Sequence, residues 1–338
     1  MKDKRIYIVT GATGYVGNSI IKKLMELKKN VIGFARSKAK AKLVFKDSMP
    51  DLIYGDIRNI EDIEKCFSPK NDYVIFHTVA SVSIGEIPNK LLYETTIDGT
   101  KNLLELTRKY RVSKFFQISS TDSLPRDLTL LPDLSNYRPE PEKLKRGYSQ
   151  AKAMVDSLVL EECSTTGLNA SILMFPSVLG PGDYSNTHMS QMMLDYVNDR
   201  LPASIDAKYN IVDIRDITDI LEAIINKARP REMYLFSTRP YEINYILSII
   251  AKLKNKKPLK ALPMWAAYAG LPFLQIGSLL TGKRPLYTAR ALEALEANSA
   301  FPNDKVRNEL GFSPRSLYHT VKEHLEFILA LEGEKENK

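Results

Sequence analysis

The 338-residue chain has little of what several protein classes are built from. Its two cysteines, Cys66 and Cys163, and four histidines, His77, His188, His319 and His324, cannot supply a disulfide framework or a Cys-rich zinc site. That economy fits a reducing, cytoplasmic setting. There is no internal repeat and no low-complexity segment. The opening Met-Lys-Asp-Lys-Arg leads into a short apolar run that reads as a first strand, without the apolar core and small-residue cleavage site of a signal segment. One uncharged stretch, the 22 residues from Ala261 to Gly282, reaches the length of a membrane span. Pro263, Pro272, Gln275 and three glycines interrupt it. Buried or pocket-lining helices are therefore expected over 261–282, with contact at a membrane surface or a dimer partner as the alternatives, and no span.

What is present is globular: 44% apolar and 26% charged residues leave ample material for a core and exclude disorder. The formal charge of +8 is uneven. Residues 1–50 carry 12 Lys and Arg against Asp3, Glu26 and Asp47, a local +9, so the remainder sums to −1. No helix-turn-helix, zinc finger or aromatic-basic module accompanies that basic end, so nucleic acid is not expected as a partner. The excess reads as a solvated Lys-rich surface or as help in holding a phosphorylated cofactor.

In the first half, short β-branched runs alternate with helical segments, the pattern of βαβ units and a parallel sheet. Strands are expected at Arg5–Thr10, Val31–Ala35, Leu52–Gly55, Tyr73–Phe76, Phe115–Ile118, Ala170–Met174 and Met233–Phe236. Helices are expected near Tyr15–Lys29, Ile60–Phe67, Lys90–Tyr110 and Tyr148–Cys163. After about residue 240 the alternation weakens into Pro-broken, mostly helical sequence. The expected fold is α/β, a Rossmann-type doubly wound parallel sheet with a smaller, mostly helical C-terminal substrate-binding region. Residues 1–175 form the dinucleotide-binding domain, with 205–240 returning to it; 176–204 and 241–330 form the substrate region, and 331–338 a polar tail.

Gly11-Ala12-Thr13-Gly14-Tyr15-Val16-Gly17 follows the first strand and opens a helix. Such glycines allow a tight turn and let backbone N–H groups approach a pyrophosphate at a helix N-terminus. Gly11, Thr13, Gly14, Tyr15, Val16 and Gly17 are thus candidate cofactor contacts. At the end of the second strand, Gly33-Phe34-Ala35-Arg36-Ser37-Lys38 lacks the acid that would hold an NAD ribose. Arg36 suits a 2′-phosphate, with Lys38, Lys40 or Lys42 adding charge, so NADP is favoured and NAD stays open. Arg36 over an adenine ring, or simply in solvent, is the alternative. Tyr54-Gly55-Asp56-Ile57 ends the third strand, where Asp56 could accept the adenine amino hydrogen and Ile57 pack on the ring. A loop-capping acid explains Asp56 nearly as well.

Tyr148-Ser149-Gln150-Ala151-Lys152 puts a phenol and an ammonium on one helical face. A cation stabilises phenolate and draws its pKa toward the working pH, which suits a general acid/base for a hydroxyl–carbonyl interconversion. Ser119-Ser120-Thr121 ends a strand on the ligand edge and offers hydroxyls to a substrate oxygen. Together with Leu179-Gly180-Pro181-Gly182-Asp183, Val212-Asp213-Ile214-Arg215-Asp216 and Glu309-Leu310-Gly311-Phe312-Ser313-Pro314-Arg315, these motifs resemble, over nearly the whole chain, the extended short-chain dehydrogenase/reductases. That group includes NAD-dependent epimerases/dehydratases, 3β-hydroxysteroid dehydrogenases and dihydroflavonol reductases.

The resemblance implies that Ser120 binds the substrate oxygen, with Thr121 the alternative if the register slips by one. It implies that Tyr148 exchanges the proton and that Lys152 lowers its pKa while holding the nicotinamide ribose. It also implies a homodimer through the helices near Lys90–Tyr110 and Tyr148–Cys163, and a structural role for His77, with no metal. Two departures stand out: Thr96 occupies a position where many relatives carry Asn, and Met174-Phe175-Pro176-Ser177 lacks the common Arg-Pro. The leading expectation is an NADP(H)-dependent oxidoreductase acting on a small apolar or aromatic carbonyl or alcohol. The alternative is a nucleotide-sugar epimerase/dehydratase with tightly bound NAD, for which Arg284, Arg290 and Arg239 would be diphosphate-binding candidates.

Overall fold

The computed structural model describes residues 3–80, 90–125, 134, 137–281, 292 and 300–336. Its frame is a seven-stranded sheet built from β1 (Ile6–Thr10), β2 (Asn30–Ala35), β3 (Asp51–Tyr54), β4 (Tyr73–His77), β5 (Val112–Ser120), β6 (Ala170–Phe175) and β10 (Met233–Leu235). The spatial order is β3-β2-β1-β4-β5-β6-β10, and every neighbouring pair is parallel. Strands covered on both faces read as continuous apolar runs rather than alternating ones. Tyr73–His77 and Ala170–Phe175 are buried at every position. The order reverses between β1 and β4, and the crevice at the carboxyl ends of such a pair is where an open α/β sheet binds ligands.

The helices α1 (Tyr15–Glu26), α2 (Lys38–Phe45) and α3 (Ile60–Glu64) connect the first strands. Tyr15, Ile20, Ile21 and Leu24 form the buried stripe of α1. The helical segment before β5 is interrupted: α4 (Lys90–Tyr93) and α5 (Gly99–Lys109) flank a π-helical turn over Glu94–Asp98. Such turns recur near functional sites because they re-aim the backbone. After β5, α6 (Tyr148–Thr165) returns the chain to the sheet.

Beyond β6, β7 (Ser177–Leu179), α7 (His188–Val197), β8 (Ser204–Ile205), β9 (Lys208–Asp213), α8 (Ile214–Asp219) and α9 (Leu221–Lys227) lead to β10. They are followed by β11 (Pro240–Glu242), α10 (Ile243–Lys254), β12 (Ala261–Leu262), α11 (Met264–Thr281), α12 (Asp304–Leu310) and α13 (Leu317–Glu336). The C-terminal region is less purely helical than its sequence suggests: β7, β9 and β11 make a second sheet, and β8 pairs with β12. The segment 205–240 is shared out, with β10 in the main sheet and β9 in the second.

Leu179, Met193, Ile211, Ile246, Ile250, Val321 and Leu325 belong to a separate core under that second region. Val306, Leu310 and Phe312, by contrast, pack with Phe236 and α9 on the sheet. The expected polar tail is helical as far as Glu336, because α13 continues through it. Among the described residues no helix is long and apolar enough to cross a membrane.

Candidate active site

The glycine-rich turn between β1 and α1 is tight because its own atoms leave no room for side chains. Gly11 sits at φ +71°, and a Cβ there would lie 2.6 Å from Thr78 Oγ1; at Gly17 a Cβ would run into the Gly11 carbonyl. Thr78 Oγ1 donates to the Thr10 carbonyl at 2.7 Å, clasping the ends of β1 and β4 together. At Gly14, a Cβ would meet only Gly11 O, at 3.1 Å, and no side chain caps α1. The first-turn amides are therefore left as donors beside open space, which fits a dinucleotide pyrophosphate. Thr13 and Val16 are half-buried at the same turn.

Tyr15 is placed differently from its expected cofactor contact. Its side chain is 7% exposed in the core and its hydroxyl donates to the Gly180 carbonyl at 2.5 Å, so only its backbone faces the turn. Asn18 Nδ2 reaches the carbonyls of Gly14 (2.7 Å), Tyr15 (3.0 Å) and Gly182 (3.2 Å). The Leu179–Asp183 motif thus braces the start of α1.

Arg36 is exposed at the end of β2 and makes no hydrogen bond or ion pair with the described residues. Lys38 lies over the Tyr54 ring at 5.5 Å, and Lys40 donates to Ser185 at 3.0 Å. At the end of β3, Asp56 accepts from Arg58 at three atoms: the backbone N and Nε at 3.0 Å each, and Nη2 at 2.7 Å. The Arg58 guanidinium holds its carboxyl below the usual range. Asp56 therefore caps its own loop. Ile57 is 2% exposed, and a Cβ on Gly99 would press against it, so most of its side chain packs into the core beside α5.

At the sheet's centre, α6 starts directly after Gly147 and presents Tyr148, Lys152 and Asp156 on successive turns of one face. Ser120, the last residue of β5, accepts from the Asp122 backbone N at 3.2 Å and lies near enough to Tyr148 to lower its pKa. Thr121 is 9% exposed and Ser120 is half-exposed, so the two candidate hydroxyls sit side by side at the end of β5. Lys152 is 2% exposed and donates to the Ile118 carbonyl at 2.5 Å, leaving two of its three N–H donors.

The pKa of Tyr148 departs from the expected lowering. The protein packed round its hydroxyl pushes it above the ordinary phenol value, Asp122 adds to the rise, and nearby Ser120 opposes both. Lys152 does not reverse this, because its ammonium is turned to Ile118. Burial brings Lys152 itself down to about 8, against the charge of Asp156.

Asp156 is a member of this cluster that the motif reading missed. It is fully buried; Ser119 Oγ donates to its Oδ2 at 2.5 Å and Ser123 Oγ at 3.1 Å. Burial raises it to about 6, with Lys152 and the two serines opposing. The signal was present as a Tyr-x-x-x-Lys-x-x-x-Asp spacing, a third polar residue on the same helical face.

His77 sits beneath, fully buried, with Nδ1 2.7 Å from Thr10 Oγ1 and Nε2 2.9 Å from Thr100 Oγ1. Thr100 Oγ1 donates to the Thr96 carbonyl at 2.6 Å, so it must accept from Nε2–H, and Nδ1 accepts from Thr10. Both ring nitrogens are thereby used by a neutral imidazole. Burial and then Lys152 pull its pKa down to about 3. Among the described residues no group of His, Cys, Asp or Glu could hold a metal ion. Arg239 lies over Tyr241 at 5.1 Å; Arg284 and Arg290 lie outside the described residues.

Comparison with known proteins places this geometry. Residues 7–235 match the NAD dependent epimerase/dehydratase family. The chain is 23% identical over 313 residues to sterol demethylase protein B of Methylococcus capsulatus, covering 91% of this chain and 94% of that protein. It is 22% identical to the 4-hydroxy-2-methyl-3-oxo-4-farnesyl-3,4-dihydroquinoline-1-oxide ketoreductase of Stigmatella aurantiaca, with 91% of each covered. Among solved structures, the UDP-glucose 4-epimerase of Thermotoga maritima superposes with a TM-score of 0.74 at 17% identity, over 97% of this chain and 99% of that one.

Proposed function

Because the chain belongs to the NAD dependent epimerase/dehydratase family, we propose that it is an NADP(H)-dependent oxidoreductase that interconverts a carbonyl and an alcohol on a small apolar or aromatic substrate. The observation that carries the reading is the pairing on one face of α6 of Tyr148 with a buried Lys152, which is tied to the Ile118 carbonyl near the Ser120 end of β5. A bound NADP(H) supplies or removes the hydride; the chain's own residues handle position and proton. Ser120 holds the substrate oxygen, and Tyr148 exchanges a proton with it. A phenol kept neutral by its surroundings is a proton donor, so the raised Tyr148 pKa suits the reducing direction. Lys152, one turn further along the same face of α6, has donors left for the nicotinamide ribose.

Gly11, Thr13, Gly14, Val16 and Gly17, with the backbone of Tyr15, would cradle the pyrophosphate. Arg36 would take the 2′-phosphate: it is exposed, unengaged, and has no acid beside it on β2. The apolar substrate class is supported by the names of two relatives, one a sterol demethylase protein and one a ketoreductase of a farnesyl quinoline oxide. The two cysteines are buried and free, in keeping with a cytoplasmic enzyme. A homodimer through α5 and α6 completes the reading; Leu91 is exposed on α4 beside those helices.

The test is a fluorescence titration with NADPH and NADH after the purified protein's spectrum has been inspected for retained cofactor. Exchangeable NADPH binding with clear preference over NADH supports the reductase. Tightly retained NAD would instead support the nucleotide-sugar epimerase/dehydratase reading, to which the fold alone is equally open.

A further inference from the structure

The balance of −1 over residues 51–338 conceals a second basic region. From Ile243 to Leu292 the chain has eight Lys and Arg and not one Asp or Glu. Lys252, Lys254, Lys257 and Lys260 are exposed at the end of α10 and in the strand approach that follows it. The run passes directly into exposed apolar residues on β12 and the first turn of α11, where Leu262 is 41% and Trp265 74% exposed. Met264, Ala267, Tyr268 and Leu271 of α11 pack on the core of the second region, in line with the leading expectation for 261–282, while Leu262 and Trp265 stand clear of it.

Trp265 is the most exposed of the chain's large apolar residues with recorded exposure, and the chain's sole tryptophan. A tryptophan left in water beside a lysine cluster is unfavourable on its own, and both features are matched by one environment. The indole settles at the headgroup level of a bilayer, and the lysine stems reach past apolar surface to place their charges at anionic phosphates.

We propose that the surface formed by the end of α10, β12 and the start of α11 docks on an anionic membrane, with Trp265 inserted at the interface and the lysines on the headgroups. A second copy of the chain is a poorer occupant. A two-fold contact places the same patch on both sides, which would set one lysine cluster against the other. Of the acids nearby, Asp199 is paired with Lys256 at 2.5 Å, and Asp206 flanks β12 through its backbone bond to Leu262; the exposed lysines outnumber them. The element lies on the surface and does not span, since among the described residues no helix is long and apolar enough to cross a membrane and Pro272 interrupts α11. The proposal is independent of the substrate reading, because none of these residues belongs to the dinucleotide edge or to the Ser120–Tyr148–Lys152 group.

The single tryptophan makes the test direct. Intrinsic fluorescence of the full chain is recorded with vesicles of phosphatidylcholine, with and without phosphatidylglycerol, alongside co-sedimentation. The expected result is a blue shift and co-sedimentation with the anionic vesicles only, both reversed by high salt. Lys254→Glu/Lys257→Glu/Lys260→Glu should weaken sedimentation roughly tenfold or more, and Trp265→Ser should weaken it while NADPH binding stays at the wild-type level. Absence of sedimentation overturns the proposal. So does sedimentation without a change in emission, or binding untouched by the charge reversals. A concentration-dependent blue shift in lipid-free buffer, with a dimer that dissociates in Trp265→Ser, assigns the patch to self-association and equally overturns it.

Discussion

The two sides of the candidate site solve opposite physical problems. Beneath the reacting centre, Lys152, Asp156 and His77 are 2%, 0% and 0% exposed, and each has its pKa displaced by burial. At the end of β2, Arg36 stands in solvent with no hydrogen bond or ion pair among the described residues. A buried charge must be held by neighbours that are already in place, whereas an exposed guanidinium can wait for a ligand at little cost. Substitutions on the dry side should therefore alter rate and pH dependence, and those on the wet side affinity and cofactor choice.

The largest separation is expected from Tyr148→Phe, which keeps the ring and removes the proton. Turnover should fall by about 10²–10⁴-fold while the NADPH dissociation constant is unchanged; stopped-flow reduction and equilibrium titration read the two separately. Arg36→Ala is the converse. NADPH should bind roughly 10–100-fold more weakly, the worth of a charge-assisted phosphate contact, with NADH unaffected. An equal loss for both dinucleotides would remove the case for NADP.

Asp156→Asn sharpens the comparison on the dry side. Lys152 titrates at about 8, and the Asp156 charge is what holds it that high against burial. The alkaline limb of kcat/KM should therefore move to lower pH, by about one unit. A purely structural role for Asp156 would lower activity at every pH without moving the limb. Stability gives the control. The folded pKa of Asp156, about 6, lies above its unfolded value of 3.8. Its contribution is thus fully present below pH 3.8 and lost as pH rises through 6. The asparagine variant is spared that loss, and its Tm at pH 8 should not fall below that of wild type.

The smallest effect concerns His77. Its folded pKa of about 3 lies below the ordinary 6.5, so between those values the unfolded chain binds the extra proton and stability declines as pH falls. Denaturant midpoints measured from pH 7 to pH 4 should decline less steeply in His77→Asn.

The legibility of this molecule follows the same division. The strands of the main sheet could be read because buried parallel strands are unbroken apolar runs, and the helix α6 because its Tyr and Lys share a face. α2 went unread: Lys38–Phe45 buries just Ala41, Val44 and Phe45 among its lysines, too narrow a stripe to stand out. The second sheet was hidden because β7 and β11, on either side of the six-residue β9, are only three residues long, and the β8–β12 pair because each strand has two. Asp156 resembles a solvated helix acid in the sequence; only its serines show that it is buried. The Arg58 bonds to Asp56 and the packing of Ile57 against Gly99 were not legible in the sequence, because both partners come from outside the Tyr54–Ile57 motif.

The central claim is that Tyr148 delivers the proton in an NADPH-driven reduction. Its most direct test is NADPH oxidation by the purified wild-type chain against a panel of apolar and aromatic ketones, with Tyr148→Phe measured in parallel. The account predicts ketone-dependent oxidation by the wild type that the variant, still binding NADPH, does not support. Equal rates in the two proteins would contradict it.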